Sequence, residues 1–329
     1  MELVPDQIIV GIDVSKQSFD VATSTGTGSR SYPATPAGFA ALVQLVQSWP
    51  SVLIVLEATG EYHLPLVTAL DAAGFPAAIC NPAQVRAYAR GMGIRSKTDR
   101  SDAQVLVAYG AARRPQARMQ PSPQLRHLKA LIARRDDLVS MRVMERNRRS
   151  ATHDPVVADS LDQMIVLLSD QITVLDRAIA NLIASDPDLA DRKTRLESVP
   201  GIGPQIAARC LVDLPDLGTM TKKQVAAYAG VAPYARDSGQ FRGKRFIQAG
   251  KAMIRQALYQ AVFSAVYTTR TANLLKTHYL HLSQQGKPHK VAMVATMRRL
   301  LTYLTAMTRD NLTWHQLDVN QGPKPDMAA

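Results

Sequence analysis

The sequence predicts an α/β layer domain followed by a long, mostly helical region. Three observations carry this. Short apolar β-branched runs alternate with helical stretches over roughly residues 1–115. From residue 122 the periodicity turns wholly helical, and beyond Asp186-Pro187-Asp188 it stays mostly so.

In chain order, Ile8–Val14 is a continuous apolar run of strand length, and Ser15-Lys16-Gln17 is a turn into a second strand, Phe19–Thr23. Together they predict a hairpin. Pro36 to Ser48 spaces Phe39, Leu42, Val43 and Val46 along one helix face. Val52–Leu56 is a buried strand ending at Glu57. His63–Ala73 is expected as helix, Pro76–Cys80 as strand and Thr98–Ala112 as helix. Ser122–Thr152 and Val156–Ala184 then read as two long helices turned at His153-Asp154-Pro155. Leu161, Leu168, Leu175 and Leu182 repeat every seven residues, which suits an antiparallel hairpin or coiled-coil arm. Asn320–Ala329 is a polar tail expected to be disordered.

The chain has 329 residues, 46% of them apolar, enough to bury a proper core. Its 39 Lys+Arg against 27 Asp+Glu give a net charge of +12 and a pI of about 9.8, which points to a nucleic-acid partner. The charge is located. Residues 1–85 carry a net −5, whereas 86–149 hold 16 Lys/Arg and 5 acids, a net +11. Cys80 and Cys210 show neither a disulfide framework nor zinc spacing, and are expected as buried core residues in a reducing cytoplasm. The acidic start has no export signal. The longest strongly apolar run, Val52–Leu56, falls far short of the roughly 20 residues of a membrane helix, so no membrane partner is expected.

Asp13 and Glu57 each end a strand, and adjacent strands would bring both carboxylates to one sheet edge. Asp99 and Asp102 lie three apart at a helix start, on one face. Clustered carboxylates repel unless a cation neutralises them, and an all-oxygen set suits Mg²⁺ and two-metal phosphoryl transfer. The competing reading is four solvated acids, two of them favourable at a helix N-terminus anyway.

Val199-Pro200-Gly201-Ile202-Gly203-Pro204 lies between helices and resembles a helix-hairpin-helix motif. In such a motif the Gly201 and Gly203 region would offer backbone N–H groups to phosphate. A plain helix turn remains open. In Ala235–Arg245, glycines surround Ser238 with Arg242, Lys244 and Arg245 close by, which describes a loop able to approach a phosphodiester. Ser238 needs a base or metal to become a nucleophile, and otherwise marks only a turn. His278 and His281 have no third ligand and read as surface histidines. Tyr259, Phe263 and Tyr267 recur every four residues and read as a core stripe rather than a base-stacking platform.

Taken in order, Gly11-Ile12-Asp13-Val14-Ser15-Lys16, Glu57-Ala58-Thr59-Gly60-Glu61-Tyr62, Asn81-Pro82, Lys97-Thr98-Asp99-Arg100-Ser101-Asp102-Ala103, Pro200-Gly201-Ile202-Gly203 and Asp237-Ser238-Gly239 resemble one family. It is the DEDD transposases of the insertion-sequence one-ten family, the bridge-RNA-guided recombinases. The likeness runs from about residue 7 to residue 310.

The resemblance implies a RuvC-like, ribonuclease-H-type domain (1–118), a coiled-coil helical arm (119–190), a C-terminal transposase domain bearing the serine (191–318) and a tail (319–329). It implies that Asp13, Glu57, Asp99 and Asp102 bind Mg²⁺, and that Ser238 attacks the DNA phosphate to make a transient 5′-phosphoserine link. Element ends and target DNA would be read through a structured guide RNA, by a homodimer assembling to a tetramer, in the cytoplasm and on the nucleoid when bound to DNA. Lys97, Arg146, Arg148 and Arg149 would contact nucleic-acid backbone, together with the Gly201/Gly203 hairpin and Arg242, Lys244 and Arg245. A serine so far along the chain from the acids requires a composite site, within one protomer or across two. The alternatives are a junction-resolving endonuclease using water, a non-catalytic DNA/RNA-binding scaffold, and a sugar-kinase-like ATPase whose later adenosine loops are not found.

Overall fold

The first apolar run becomes the middle strand of a five-stranded sheet in the computed structural model of the protein. The structure describes residues 7–58, 60, 62–94, 99–215, 217–234, 243, 245–248, 250–270 and 272–320, with backbone alone at 99–101 and 318–320. β1 (Ile8–Val14) pairs antiparallel with β2 (Ser18–Thr23), and β2 with β3 (Ser29–Pro33). After α1 (Pro36–Gln47), β4 (Val52–Glu57) returns parallel to β1. α2 (Leu64–Ala72) then leads to β5 (Ala77–Cys80), parallel to β4, and the strand order is β3-β2-β1-β4-β5. A parallel return needs a crossover, and both crossovers here are the helices the sequence predicts.

The continuous apolar character of β1 and β4 follows from burial on both faces. Val10, Ile12, Ile54 and Leu56 enter one core with Leu42, Val46, Leu66 and Leu70 from α1 and α2. Ile9, Leu53 and Val55 enter another with residues of α3 (Pro82–Gly91) and α4 (Asp99–Arg113). β3 and α3 are additions to the expected elements. β3 reads Ser-Arg-Ser-Tyr-Pro, a polar edge strand without alternation, and α3 buries only Val85. α3 starts where Asn81 caps it, its Oδ1 accepting the Ala83 N–H at 2.8 Å, with Pro82 at the first helical position.

The chain divides into two compact units, Met1–Ser122 and Pro123–Ala329. The second opens with α5 (Pro123–Ala151) and α6 (Pro155–Ala184), an antiparallel hairpin. Its turn is fixed by Asp154, whose carboxylate accepts the N–H groups of Val156 and Val157 at 2.9 Å. Three rungs seven residues apart tie the helices along one edge: Arg135 to Asp176 at 2.6 Å, Arg142 to Ser169 at 3.3 Å and Arg149 to Asp162 at 2.9 Å. Of the leucine heptad only Leu168 is buried, beside Leu138 and Ile172. At the base, Leu128, Ile132, Ile179 and Ile183 join the main core of this unit.

That core is built from α7 (Pro187–Glu197), α8 (Pro204–Asp213), α9 (Lys222–Tyr228), a two-stranded ladder of β6 (Pro233–Tyr234) and β7 (Phe246–Ile247), α10 (Ala252–Phe263), α11 (Leu274–Gln284), α12 (His289–Arg309) and α13 (Trp314–Asn320). A π-helical turn, Ser264–Thr268, extends α10. Cys80 and Cys210 are buried and free, as expected. Among the described residues, no helix is long and apolar enough to cross a membrane.

Two expectations are corrected. Of the Tyr259, Phe263, Tyr267 stripe only Tyr259 packs against the core: Phe263 is 42% and Tyr267 52% exposed, because Ile254, Leu258, Ala261, Val262 and Ala265 occupy the buried face instead. His278 is half-buried rather than a free surface group, and burial, with Arg299 and His281 nearby, lowers its pKa.

Candidate active site and nucleic-acid surfaces

The acidic edge follows from strand register. Ile12 pairs with Leu56 in the parallel β1–β4 ladder, so the next residues, Asp13 and Glu57, end neighbouring strands side by side. Ile12 and Leu56 both enter the α1/α2 core, so alternation turns Asp13 and Glu57 to the opposite face, the one α4 covers. α4 lies on that face because two glycines permit it. A Cβ on Gly11 would fall 2.2 Å from the Ala103 carbonyl oxygen, and one on Gly110 would fall 2.8 Å from Ile9 and 2.9 Å from Val55. The helix therefore runs antiparallel to β1, Gly110 over Ile9 and Ala103 over Gly11. The same course carries its first turn, Asp99 and Asp102, toward the Asp13 end of the strand. Asp13, Glu57 and Asp102 are all partly exposed. Asp99 is placed by its backbone at the first position of α4, and its side chain lies outside the described residues.

One acid went unnoticed in the sequence. Asp20 is the antiparallel partner of Asp13, and directly opposed residues project from the same face, so a third strand carboxylate stands at this edge. The signal was available: the short turn at 15–17 fixes the hairpin register, and counting back from it sets Asp20 opposite Asp13. Beside Glu57 in the β4–β5 register is Cys80, whose thiol is pushed up to about 11 by burial and by the Glu57 charge. The three strand acids are oxygen donors, a chemistry that fits a hard divalent cation such as Mg²⁺. Among the described residues, no three His, Cys, Asp or Glu side chains are yet drawn in close enough to enclose an ion.

On either side of residues 235–242 the described chain forms a neck. β6 and β7 pair Pro233 with Ile247 and Tyr234 with Phe246, and below them the chain closes on itself. Gly250, at φ +69°, lies so close to Gly230 that a Cβ would fall 2.3 Å from the Gly230 Cα. The Lys251 N–H donates to the Tyr228 carbonyl at 3.1 Å. Lys251 Nζ sits 4.8 Å from the centroid of the Tyr228 ring and 3.4 Å from the buried Asp213 carboxylate, which Arg209 also approaches at 3.4 Å. Burial alone would lower the Lys251 ammonium, but the Tyr228 and Asp213 interactions carry it above its ordinary value. Ser238, Arg242, Lys244 and Lys97 lie outside the described residues. Arg245 is exposed and donates to the Gly243 carbonyl at 3.2 Å.

The Gly201 and Gly203 pair divides in role. Gly201, at φ +87°, packs on α10 and the π turn, where a Cβ would fall 2.1 Å from the Ala261 carbonyl oxygen. Gly203 is in open space at the N-terminus of α8 and brings no side-chain cap. In contrast, α1, α3, α6 and α7, each also begun by proline, are capped by Thr35, Asn81, Asp154 and Asp186. On the arm, Arg149 is committed to Asp162 and Arg148 to Glu145 at 2.6 Å, while Arg146 is exposed.

Comparison with known proteins fits this geometry to a class, the enzymes that cut and rejoin DNA. A DEDD-type IS110 transposase family model matches residues 10–154, and a model of the IS116/IS110/IS902 transposase family matches residues 193–279. The chain is 31% identical over 312 residues to the pilin gene-inverting protein of Moraxella bovis, covering 92% of this chain and 96% of that one. It is 31% identical over 311 residues to the same protein of Moraxella lacunata, and 29% identical over 158 residues to the mini-circle putative transposase for IS117 of Streptomyces coelicolor, there covering 46% of this chain and 37% of the other. The chain belongs to the IS110 family of transposases, and is a DNA transposase/recombinase.

Proposed function

We propose that this recombinase breaks and rejoins DNA through Ser238, with Mg²⁺ held by Asp13, Glu57, Asp99 and Asp102, to excise and insert its own mobile element under the guidance of a structured RNA. The observation that carries the proposal is the β1–β4 register that sets Asp13 beside Glu57, with the first turn of α4 directed to the same edge. The strand order β3-β2-β1-β4-β5, three antiparallel strands and then two parallel ones, supports a ribonuclease-H-type, RuvC-like catalytic domain over 1–118. We assign the arm to 119–190 and the serine-bearing transposase domain to 191–318.

In the reaction, Ser238 Oγ attacks the scissile phosphorus. A P–Oγ bond forms, the bond to the 3′ oxygen breaks, and the serine proton ends on the released 3′-hydroxyl. The 5′-phosphoserine ester keeps the phosphodiester energy, so a 3′-hydroxyl from another strand reverses the step with Ser238 as leaving group and no ATP is needed. Bound Mg²⁺ would lower the charge cost of the pentavalent transition state. Asp13 and Glu57 would contribute fixed carboxylates on rigid strands, and the close approach of Gly230 and Gly250 holds together the two points between which the chain runs out to Ser238 and back. The cationic stretch 86–149 suits the backbone of the guide RNA, which would read sequence by base pairing, and homodimers would pair into a tetramer around the DNA partners.

A denaturing gel of labelled element-end DNA incubated with the full-length protein, its guide RNA and Mg²⁺ tests this. Wild-type protein should leave protein-linked DNA, Ser238→Ala none, and Asp13→Asn neither linked nor cut DNA. Linked DNA surviving in Ser238→Ala refutes the serine role, and free-ended cleavage by that variant assigns the chemistry to water.

A further inference from the structure

Phe263 and Tyr267 stand out of the C-terminal unit as an uncovered aromatic face. The Tyr259, Phe263 and Tyr267 rings follow one another with centroids 6.4 and 5.0 Å apart. The second step is the shorter because it crosses the π turn, whose Thr269 N–H reaches back to the Ser264 carbonyl at 3.0 Å, five residues away. π turns of this kind concentrate at functional sites. The turn is braced from below by buried Asn273, which donates to the Ala265 carbonyl at 3.0 Å.

Tyr267 is also held in orientation. Its hydroxyl lies 2.6 Å from that of buried Tyr279, which in turn lies 2.9 Å from His289 Nδ1. The hydrogen bond to Tyr279 pushes the Tyr267 hydroxyl up to about 12, so the face carries no phenolate. A ring 52% exposed and yet fixed by two hydrogen-bonded neighbours is prepared for contact at little cost in entropy. The charge along this stretch of chain is one-sided. Residues 251–309 contain nine Lys/Arg and not one Asp or Glu, and exposed Arg270, Lys287 and Lys290 lie next to the π turn and His289 in sequence. Exposed aromatic rings on a stretch of chain rich in cations and without acids match unpaired nucleotides, whose bases stack while their phosphates meet the cations.

We infer that Phe263 and Tyr267 form a stacking platform for an unpaired stretch of the DNA strand on which this recombinase acts. The inference rests on the family's action on DNA. It is independent of Ser238 and of Mg²⁺.

Fluorescence anisotropy with the full-length protein, without Mg²⁺, tests it on a thymidine oligonucleotide of about twelve nucleotides, its abasic counterpart, a duplex and the matching RNA. The wild type should bind the thymidine strand more tightly than the abasic one. Phe263→Ala with Tyr267→Ala should weaken that binding by about tenfold or more and leave the duplex unchanged, whereas Tyr267→Phe, which keeps the ring but loses its hydroxyl anchor, should lose less than the double variant. Equal wild-type affinity for thymidine and abasic strands overturns the platform whatever the variants do. So does an equal loss on single strand and duplex. A greater loss on RNA than on DNA overturns the DNA assignment, and a change of sedimentation in the double variant makes the face a protein interface. Because no cleavage is read, failure of the serine mechanism leaves these outcomes unaltered.

Discussion

The N-terminal unit positions Asp13 and Glu57 by strand pairing, whereas the C-terminal unit pinches its chain between two glycines, Gly230 and Gly250. The first device is rigid. Asp13 and Glu57 stand on strands buried on both faces, and moving either by one residue would turn an apolar row to the wrong side. The second fixes only two points of the chain, Gly230 and Gly250, with a ladder of two residues per strand between them in sequence. On the proposed mechanism, a metal-binding edge would gain from fixed carboxylates, whereas a nucleophile that attacks, stays attached during strand exchange and then leaves would gain from a tethered one. Glycine serves both devices differently: Gly11 lets a helix approach a strand, and Gly250 lets one backbone touch another.

The largest effect should come from breaking the rigid side. Gly11→Ala drives a Cβ into the Ala103 carbonyl oxygen at 2.2 Å, and both atoms belong to backbone that cannot rotate away. We expect the full chain to lose about 1–3 kcal/mol of stability in urea unfolding followed by circular dichroism, and to lose strand cleavage as α4 lifts from β1. Unchanged stability would mean that α4 does not rest on Gly11.

Gly250→Ala breaks the tethered side. The residue is at φ +69°, where a side chain costs about 1–2 kcal/mol, and its Cβ would meet Gly230. Protein-linked DNA should form at least about tenfold more slowly, in keeping with the cost of misplacing a reacting group. Gly203→Ala is the control: nothing lies within 4 Å of that Cβ, so stability should stay within about 0.5 kcal/mol. An unaltered rate in Gly250→Ala would show that the neck does not govern Ser238.

What was legible in the sequence divides along the same line. Asp13 and Glu57 could be read because a β-branched run that ends in an acid states both the strand and its edge. Periodicity could not supply Asp20, whose place follows from hairpin register, nor β3, whose Ser-Arg-Ser-Tyr-Pro has no alternation. The aromatic stripe was misread for a related reason. Spacing of four says that Tyr259, Phe263 and Tyr267 share a face, but only packing decides whether anything covers it, and the covered face belongs to small residues such as Ala261 and Ala265. The glycine neck was not legible at all, because Gly230 and Gly250 are twenty residues apart in sequence and meet only in three dimensions.

The smallest effects separate charge that builds the arm from charge that can meet RNA. Arg149 reaches Asp162 across the hairpin at 2.9 Å with its side chain 41% exposed, so Arg149→Gln should cost about 0.2–1 kcal/mol, less at high salt. Arg146 is exposed and belongs to none of the rungs between α5 and α6, so Arg146→Gln should leave unfolding unchanged. If the arm carries guide RNA, the Arg146 variant should still bind more weakly and reduce the slope of log affinity against log salt by about 0.7–0.9, the share of one phosphate contact. Arg149→Gln should change the slope less, because its guanidinium is already turned to a carboxylate. Equal slopes in wild type and Arg146→Gln would leave the excess charge of residues 86–149 to solubility alone and move the RNA surface off the arm.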